Sequence, residues 1–242
     1  MTRLPALLDP PIAFAHRGAR AHARENTLEA FELALRLGAT GLESDVWVTA
    51  DGVAVLDHDG YGERRGLRRR PISSLRRAEL PGHIPALEDL YATCGTAVPI
   101  SLDMKDPAAF APVIAVARAA GDDAVERLWL CHHDWELVAG WRPDAHGARL
   151  VDSTRLHRMK QGPERRAAAL ANAGIDAVNL HHTDWTGGLT TLFHRFGIFA
   201  FGWDAQHPRI LDELLDLGID AVYSDHVDRM HDAMNRAYSV KD

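Results

Sequence analysis

The chain has 242 residues, of which 46% are hydrophobic and 25% are charged, and its formal charge at pH 7 is -7. A length of this order suits one large domain, so we expect residues 1–242 to form a single domain. The net negative charge argues against a nucleic-acid partner, because a phosphate backbone would repel it.

The predicted elements alternate between strands and helices along the whole chain. The strand-like runs are IAFAH, TGLESDVWV with VAVLDH after a turn, AVPISLDMK, RLWLCH, ARLVDS, DAVNL, GIFAFGW and IDAVYS. Helical patterns follow them at 27–37, near 86–93, through 108–120, from near 134, over PERRAAALANAG, near 189–195, over PRILDELLDLG and over HVDRMHDAMNRAY. Eight such β/α units predict a (β/α)8 TIM barrel, since a doubly wound open sheet would have about five or six strands.

An irregular insertion at about residues 60–85 follows the second β/α unit. Its GxGxxxG spacing misses the dinucleotide-binding fingerprint by one residue and does not lead from a strand into a helix. Its arginines are Arg64, Arg65, Arg68, Arg69, Arg70, Arg76 and Arg77. They form either a solvated face or a basic patch that draws an anionic substrate or a lipid surface to the barrel.

The rest of the composition bears on location. No stretch of about 18 apolar residues runs without a charge, and the first residues contain no apolar run typical of a signal peptide. We therefore expect a cytoplasmic protein with no stable membrane insertion. The two cysteines, Cys94 and Cys131, have no CxxC spacing, which predicts free thiols rather than a disulfide or a zinc site.

Two predicted strands carry charged side chains that project to the same side. Glu43 and Asp45 are two residues apart in LESDV. Asp103 and Lys105 have the same spacing in SLDMK, and side chains at positions i and i+2 of a strand share a face. These strands therefore deliver three carboxylates and one ammonium group to a common cavity.

Two histidines fall at the ends of predicted strands. His16 and Arg17 end the first strand, and His58 ends the hairpin that follows the second. In a barrel these positions lie at the C-terminal face, where barrel enzymes have their active sites. The carboxylates would form a hard oxygen site for Mg²⁺ or Ca²⁺, and the histidines can supply an acid and a base. Arg17 and Lys105 can neutralise a bound phosphate.

This combination resembles a known family. The segments HRG, ENT, AF, LESDVWVTADG and HD are similar to the N-terminal signature of the glycerophosphodiester phosphodiesterase family, a phosphatidylinositol-phospholipase-C-like barrel. IPALEDL and YSD resemble its later landmarks, so the resemblance covers nearly the whole chain. It implies metal-dependent hydrolysis of small-molecule glycerophosphodiesters to glycerol 3-phosphate and an alcohol, a reaction of lipid metabolism.

The resemblance also implies a role for each matching residue. His16 and His58 would be the catalytic pair, with His16 favoured as the acid and His58 as the base, although their spacing does not fix the direction. The expected ligands of a divalent cation, Mg²⁺, Ca²⁺ or Mn²⁺, are Glu43, Asp45 and Asp103. The expected substrate contacts are Arg17, Lys105 and Trp203. The attacking group can be water or the substrate's own neighbouring hydroxyl.

Several segments depart from the family pattern. REN stands where PEN is usual, CHHD stands where a serine and an aromatic residue are usual, and Asp103 stands where a glutamate is usual. The shorter carboxylate of Asp103 would pull the metal inward or bind it through water. The unusual Asp204 follows Trp203, and the two could hold a cationic alcohol such as choline; Trp203 could equally be a packing residue at the barrel mouth.

Four further histidines stand as consecutive pairs, His132 with His133 and His181 with His182. Consecutive residues of a strand point to opposite faces, and no HxH pair is present, so we expect loop-lining or surface histidines rather than a second, zinc-like site.

Two other functions remain open. A related barrel with phospholipase D-type or lysophospholipase D activity would use the same residues with an apolar entrance. A non-catalytic phosphate-binding barrel would require the loss of His16 or His58, and both are present.

Overall fold

The strands of the protein close into a barrel. A computed structural model describes residues 3–62 and 69–238. The strands are β1 (Ile12–Ala15), β2 (Gly41–Val48), β3 (Ala54–Leu56), β4 (Ile100–Met104), β5 (Leu128–His132), β6 (Arg149–Ser153), β7 (Ala177–His181), β8 (Phe199–Trp203) and β9 (Ala221–Ser224). The order β1-β9-β8-β7-β6-β5-β4-β2 is parallel throughout and is closed by the β1–β2 pairing, while β3 is an antiparallel hairpin partner of β2. The predicted TIM barrel is therefore confirmed.

Helices follow the barrel strands and cover their outer faces. They are α1 (Leu28–Arg36), α2 (Leu87–Cys94), α3 (Phe110–Ala120), α4 (Asp122–Glu126), α5 (Trp135–Trp141), α6 (Pro163–Asn172), α7 (Gly187–Arg195), α8 (Pro208–Asp216) and α9 (Val227–Tyr238). The sequence signals that predicted them are visible at their ends: Thr27 caps α1 by accepting a hydrogen bond from the Ala30 amide at 3.2 Å. The five-residue helix α4 is too short to show a helical period and was not predicted from the sequence.

The interior of the barrel has an apolar lower part and a polar upper part. Buried aromatic rings of Phe14, Trp129, Phe201 and Tyr223 pack together in the lower part, and the Phe14 and Tyr223 rings stack with centroids 4.9 Å apart. Because inward positions alternate along each strand, the next inward residues stand at the C-terminal ends of the strands. The hydroxyl groups of Tyr223 and Ser101, 3.0 Å apart, mark the floor of the polar part.

The insertion after β3 packs on its own small core. Val55, Ile72, Leu75, Leu80 and Ile84 form a buried cluster, so apolar contacts hold residues 72–84 against the hairpin.

The arginines of the insertion divide into two sets. Arg64, Arg65 and Arg68 lie outside the described residues. Arg69 pairs with Asp59 at 3.4 Å and Arg70 with Glu79 at 3.1 Å, and both pairs are exposed. Such pairs are typical of a solvated face.

Two smaller expectations concern the thiols and membrane spans. Cys94 and Cys131 are both free thiols, as predicted, although only Cys131 is fully buried. Within the described ranges, no helix combines the length and apolar character that crossing a bilayer requires.

Candidate active site

A cavity of about 550 Å³ opens at the C-terminal ends of the barrel strands. Its lining includes seven of the eight predicted site residues: His16, Arg17, Glu43, Asp45, Asp103, Lys105 and Trp203. They come from the ends of β1, β2, β4 and β8, which are distant in sequence and adjacent or opposite in the barrel. The alternation of inward side chains thus brings the predicted residues into one cavity.

His16 is positioned by a carboxylate that follows β9. Its Nδ1 lies 2.6 Å from Oδ1 of Asp225, and its Nε2 lies 3.9 Å from Oε2 of Glu43. Burial by itself would lower the pKa of His16, but the charge of Glu43 and the hydrogen bond with Asp225 raise it by more. The pKa of Asp225 is correspondingly lowered, because its hydrogen bond with His16 and the positive charges of His16, Arg20 and Arg17 together outweigh the opposing effect of its burial. The pair can therefore hold a proton on the imidazole at the cavity surface.

A tight turn after β1 aims a backbone N–H group at Glu43. Arg17 has a φ of 54° and Gly18 a φ of 78°, and the Arg17 amide donates to Oε2 of Glu43 at 2.8 Å. A side chain at position 18 would place its Cβ 2.7 Å from the carbonyl carbon of Ala30, so only glycine fits there. The HRG segment is therefore a structural requirement of the turn as well as a source of charged groups.

The guanidinium of Arg17 lies between two acidic residues. It donates to Glu25 at 3.1 Å, and its Nε lies 3.1 Å from Oδ2 of Asp45. Asn26 also donates to that oxygen at 3.2 Å and accepts a hydrogen bond from Ser44. The REN segment thus orients both Arg17 and Asp45, despite its departure from the family pattern.

Asp45 and Asp103 are direct neighbours across the β2–β4 pairing. The ammonium group of Lys105 lies 3.1 Å from Asp45 and also donates to Asp103. Burial would lower the pKa of Lys105, but these two carboxylates raise it, so the side chain stays charged. Lys105 is thus the counterion of the two aspartates in this structure.

Glu43 and Asp45 are the most deeply buried of the three predicted carboxylate ligands, with 6% and 2% of their surface exposed. The pKa of Glu43 is raised to about 7, because its burial and the charge of Asp45 outweigh the opposing effect of His16. A bound cation would stabilise the ionised form, because it would offset the loss of hydration. Glu43, Asp45 and Asp103 all offer oxygen donors to one cavity, so they are its candidate ligands for a hard divalent ion.

His58 is the predicted site residue that the cavity lining does not include. It follows β3, where the Asp57 amide donates to the backbone carbonyl of Asp45 at 3.0 Å. Its side chain is 40% exposed, and its Nδ1 lies 3.1 Å from Asp59. The structure therefore anchors the backbone beside His58 to β2 and leaves the imidazole at the surface.

The opposite wall of the cavity is formed after β6, β7 and β8. Trp203 contacts the edge of the His181 ring at a centroid distance of 4.5 Å, and the Arg155 guanidinium lies 5.8 Å from the Trp203 ring centroid. Arg155 is neutralised by Asp184, 2.6 Å from its Nε. Two protein groups therefore already contact the indole that could hold a cationic alcohol.

The described part of the chain contains two clusters of three side chains, and in each cluster the potential metal-ligating atoms all lie within 4.8 Å of one another. They are His22 with His226 and Asp228, and His181 with His182 and Asp204. The expectation that His181 and His182 point to opposite faces is wrong, because β7 ends at His181 and a 3-10 turn begins at His182. Their ring centroids lie 4.4 Å apart.

Sequence reasoning also missed the role of Asp225. YSD was noted as a landmark, but its aspartate was not assigned a function. Tyr223 is an inward residue of β9, and Asp225 is two positions further on, so alternation alone places it at the cavity. That signal was present in the sequence.

Comparisons with known proteins identify relatives of this chain. Residues 16–125 match the model of the glycerophosphoryl diester phosphodiesterase family. A Mycobacterium tuberculosis protein named probable glycerophosphodiester phosphodiesterase 2 is 27% identical over 267 aligned residues, which span 92% of this chain and 90% of that protein.

Solved structures share the fold. A glycerophosphodiester phosphodiesterase from Thermotoga maritima has a TM-score of 0.77 at 23% identity, covering 90% of this chain and 96% of that one. An Oleispira antarctica phosphodiesterase solved with the product sn-glycerol-3-phosphate has a TM-score of 0.80 at 19% identity, covering 93% and 97%.

The barrel, the residues at its mouth and these similarities define the class: the protein is a TIM-barrel phosphoric diester hydrolase. Within that class, residues 16–125 match the glycerophosphoryl diester phosphodiesterase family, and the 27% identical relative spans 92% of the chain.

Proposed function

We propose that the protein hydrolyses small, water-soluble glycerophosphodiesters to glycerol 3-phosphate and an alcohol. The names of its relatives support this reaction, and the observation that carries it is the placement of His16, held by Asp225, beside Glu43 in the cavity. The whole chain would act as one barrel domain, and we retain the prediction of a cytoplasmic location.

The reaction would require a divalent cation, Mg²⁺, Ca²⁺ or Mn²⁺, with Glu43, Asp45 and Asp103 as its ligands. When bound, such an ion would stabilise negative charge on the phosphoryl oxygens. Lys105, which pairs with Asp45 and Asp103 in this structure, would be one cationic contact of the phosphate. Arg17, oriented by Glu25, would be the second cationic contact.

Two histidines would move the protons. His16 has its Nδ1 occupied by Asp225, so its Nε2 would donate the proton to the departing alkoxide. This role agrees with the raised pKa of His16, which favours the protonated ring. His58 would be the base, and its imidazole would have to turn from Asp59 toward the cavity to reach the attacking hydroxyl.

The identity of the products tests the proposal. The purified protein is incubated with glycerophosphocholine, glycerophosphoethanolamine and glycerophosphoglycerol, each with Mg²⁺, Ca²⁺ or Mn²⁺, and glycerol 3-phosphate is measured. We expect its release together with the free alcohol. A matched control is His133→Ala, which removes a histidine outside the cavity lining. Release of a phosphorylated alcohol and glycerol, or no turnover of any diester, would contradict the proposal.

A further inference from the structure

We propose that His181, His182 and Asp204 form a second metal site at the rim of the cavity, for a first-row transition metal of the zinc type. His181 is the last residue of β7, His182 begins the 3-10 turn that follows, and Asp204 comes directly after β8. β7 and β8 are neighbours in the barrel, so the three side chains meet across one strand pairing. Their ligand atoms all lie within 4.8 Å of one another.

The spacing of the first two ligands suits a tetrahedral ion. Metal–ligand bonds of 2.0–2.1 Å in a tetrahedron require ligand atoms about 3.3 Å apart. Nε2 of His181 and Oδ2 of Asp204 are 3.2 Å apart. The ring of His182 lies beside that of His181, with an interplanar angle of 33°, so a rotation of its side chain would complete a three-ligand set.

Groups behind these ligands hold them in orientation. Nδ1 of His181 lies 2.7 Å from the Thr183 hydroxyl and accepts a hydrogen bond from the Thr183 amide at 3.3 Å, so Nε2 is the ring nitrogen that faces Asp204. The amide of Gln206 donates to Oδ1 of Asp204 at 3.2 Å, which leaves Oδ2 for the ion. Metal-binding histidines and carboxylates are typically supported by hydrogen bonds of this kind. Asp204 also has a φ of 63°, an uncommon conformation that functional sites retain more often than other surfaces do.

The charges around the site permit a cation. Arg155, which lies over the neighbouring Trp203 ring, is paired with Asp184 through two hydrogen bonds of 2.6 and 3.3 Å. Asp204 therefore brings the negative charge that the ion would neutralise.

The donor set separates this site from the predicted catalytic one. Two imidazoles and one carboxylate favour zinc-type ions, whereas Glu43, Asp45 and Asp103 offer oxygen alone and favour Mg²⁺ or Ca²⁺. In the ring of strands, β7 and β8 stand opposite β2 and β4. An ion held at the rim would thus face the carboxylates across the cavity. Its binding does not depend on the proposed reaction.

The group of His22, His226 and Asp228 offers the same donor types and serves as an internal control. The two aspartates are equally exposed, at 49% for Asp228 and 48% for Asp204, but the side chain of His22 is 37% exposed and that of His181 only 16%. Within the described residues, the His22 ring is bonded to Asp228 and to no further hydroxyl or amide that would orient it. We therefore assign the stronger site to the cavity rim.

A cobalt titration tests the assignment. The protein, purified without a histidine tag and saturated with Mg²⁺, is titrated with Co²⁺ while the visible spectrum is followed, and Zn²⁺ is then added in competition. Tetrahedral Co²⁺ with nitrogen ligands absorbs strongly, whereas octahedral Co²⁺ with oxygen ligands absorbs weakly. We expect one strongly absorbing Co²⁺ per chain that Zn²⁺ displaces.

Variants then locate the ion. His182→Gln and Asp204→Asn each change a proposed ligand and should weaken Co²⁺ binding by more than about 100-fold. Thr183→Val removes a hydroxyl that contacts a ligand and should weaken it by about 10-fold, because removing a group that hydrogen-bonds to a metal ligand typically costs 10- to 100-fold in affinity. The matched control His226→Gln should leave the titration unchanged. The proposal is overturned if no tetrahedral spectrum appears, or if His226→Gln abolishes it while Asp204→Asn and His182→Gln retain it.

Discussion

The cavity at the barrel mouth and the layer between β6 and α6 each contain a buried carboxyl group, Glu43 in the first and Asp152 in the second. Burial raises the pKa of both to about 7. They differ in what surrounds them. Glu43 accepts a hydrogen bond from the Arg17 amide and faces His16, whereas neither oxygen of Asp152 has a hydrogen-bond partner.

The difference follows from the alternation of strand residues. Val151 is an inward residue of β6, so Asp152 points outward toward α6, where Arg166 lies 3.6 Å away without a hydrogen bond. A perturbed pKa therefore reports burial in both regions. Only the convergence of Glu43 with other reactive groups at a cavity indicates a function.

Among the cavity residues, the two predicted catalytic histidines should cause the largest loss of activity when they are replaced. His16→Ala should lower kcat on glycerophosphocholine by roughly 100- to 10,000-fold, the usual range for a general acid or base. On a diester with a p-nitrophenolate leaving group the loss should be much smaller, because that group departs without a proton. His58→Ala should affect both substrates alike.

Measuring both variants on both substrates separates the roles. If His16→Ala and His58→Ala lose the same activity on both diesters, the divided acid and base roles are wrong, and one histidine orients the phosphate instead.

Removal of the divalent metal should cause the next largest loss of turnover. Exhaustive chelation should lower turnover by at least about 100-fold, and Mg²⁺, Ca²⁺ or Mn²⁺ should restore it, since an ion at the carboxylates supplies several kcal/mol of charge stabilisation. Asp103→Glu should shift the midpoint of the metal titration. Full activity after chelation would contradict the assignment of all three carboxylates.

The third prediction concerns stability on the Asp152 side. The folded protein retains the Asp152 proton to about pH 7, whereas an unfolded aspartate releases it near pH 4. The folded state binds more protons in this window, so the free energy of unfolding should fall as pH rises through it, by up to about 4 kcal/mol.

Asp152→Asn removes this titration. Urea unfolding of wild type and variant at pH 4.5 and pH 8 should therefore give a smaller decrease for the variant, with a relative gain at pH 8. Identical pH dependence in the two proteins would show that Arg166 keeps Asp152 ionised throughout.

The smallest effect is expected at Trp203. If its ring binds a cationic alcohol, Trp203→Ala should cost about 2- to 30-fold more in kcat/KM on glycerophosphocholine than on glycerophosphoglycerol. Equal losses on the two substrates would favour a packing role, which its contacts with Arg155 and His181 already suit.

The fold was predictable because its signals are local. Apolar runs of strand length, helix caps and glycines after helices locate all eight β/α units to within a few residues. The same alternation of strand residues predicts that Glu43, Asp45 and Asp103 share one cavity.

The sequence did not predict the orientation of side chains that follow the end of a strand. Alternation fails at His182 because the chain leaves β7 there, and the sequence does not mark that point. Asp225 was within reach of the alternation argument, but its 2.6 Å contact with His16 joins residues 209 positions apart. The exposed orientation of His58 depends on its pairing with Asp59 and could not be read from the HD segment.

The central claim is that convergence at the cavity, rather than burial, gives a carboxyl group its function. Its most direct test is kcat on glycerophosphocholine, at saturating divalent metal, for the isosteric pair Glu43→Gln and Asp152→Asn. Both substitutions remove a buried carboxylate whose pKa is about 7. We predict that Glu43→Gln lowers kcat by more than about 100-fold and that Asp152→Asn changes it by less than about twofold. Retained activity in Glu43→Gln, or an equal loss in Asp152→Asn, would contradict the claim.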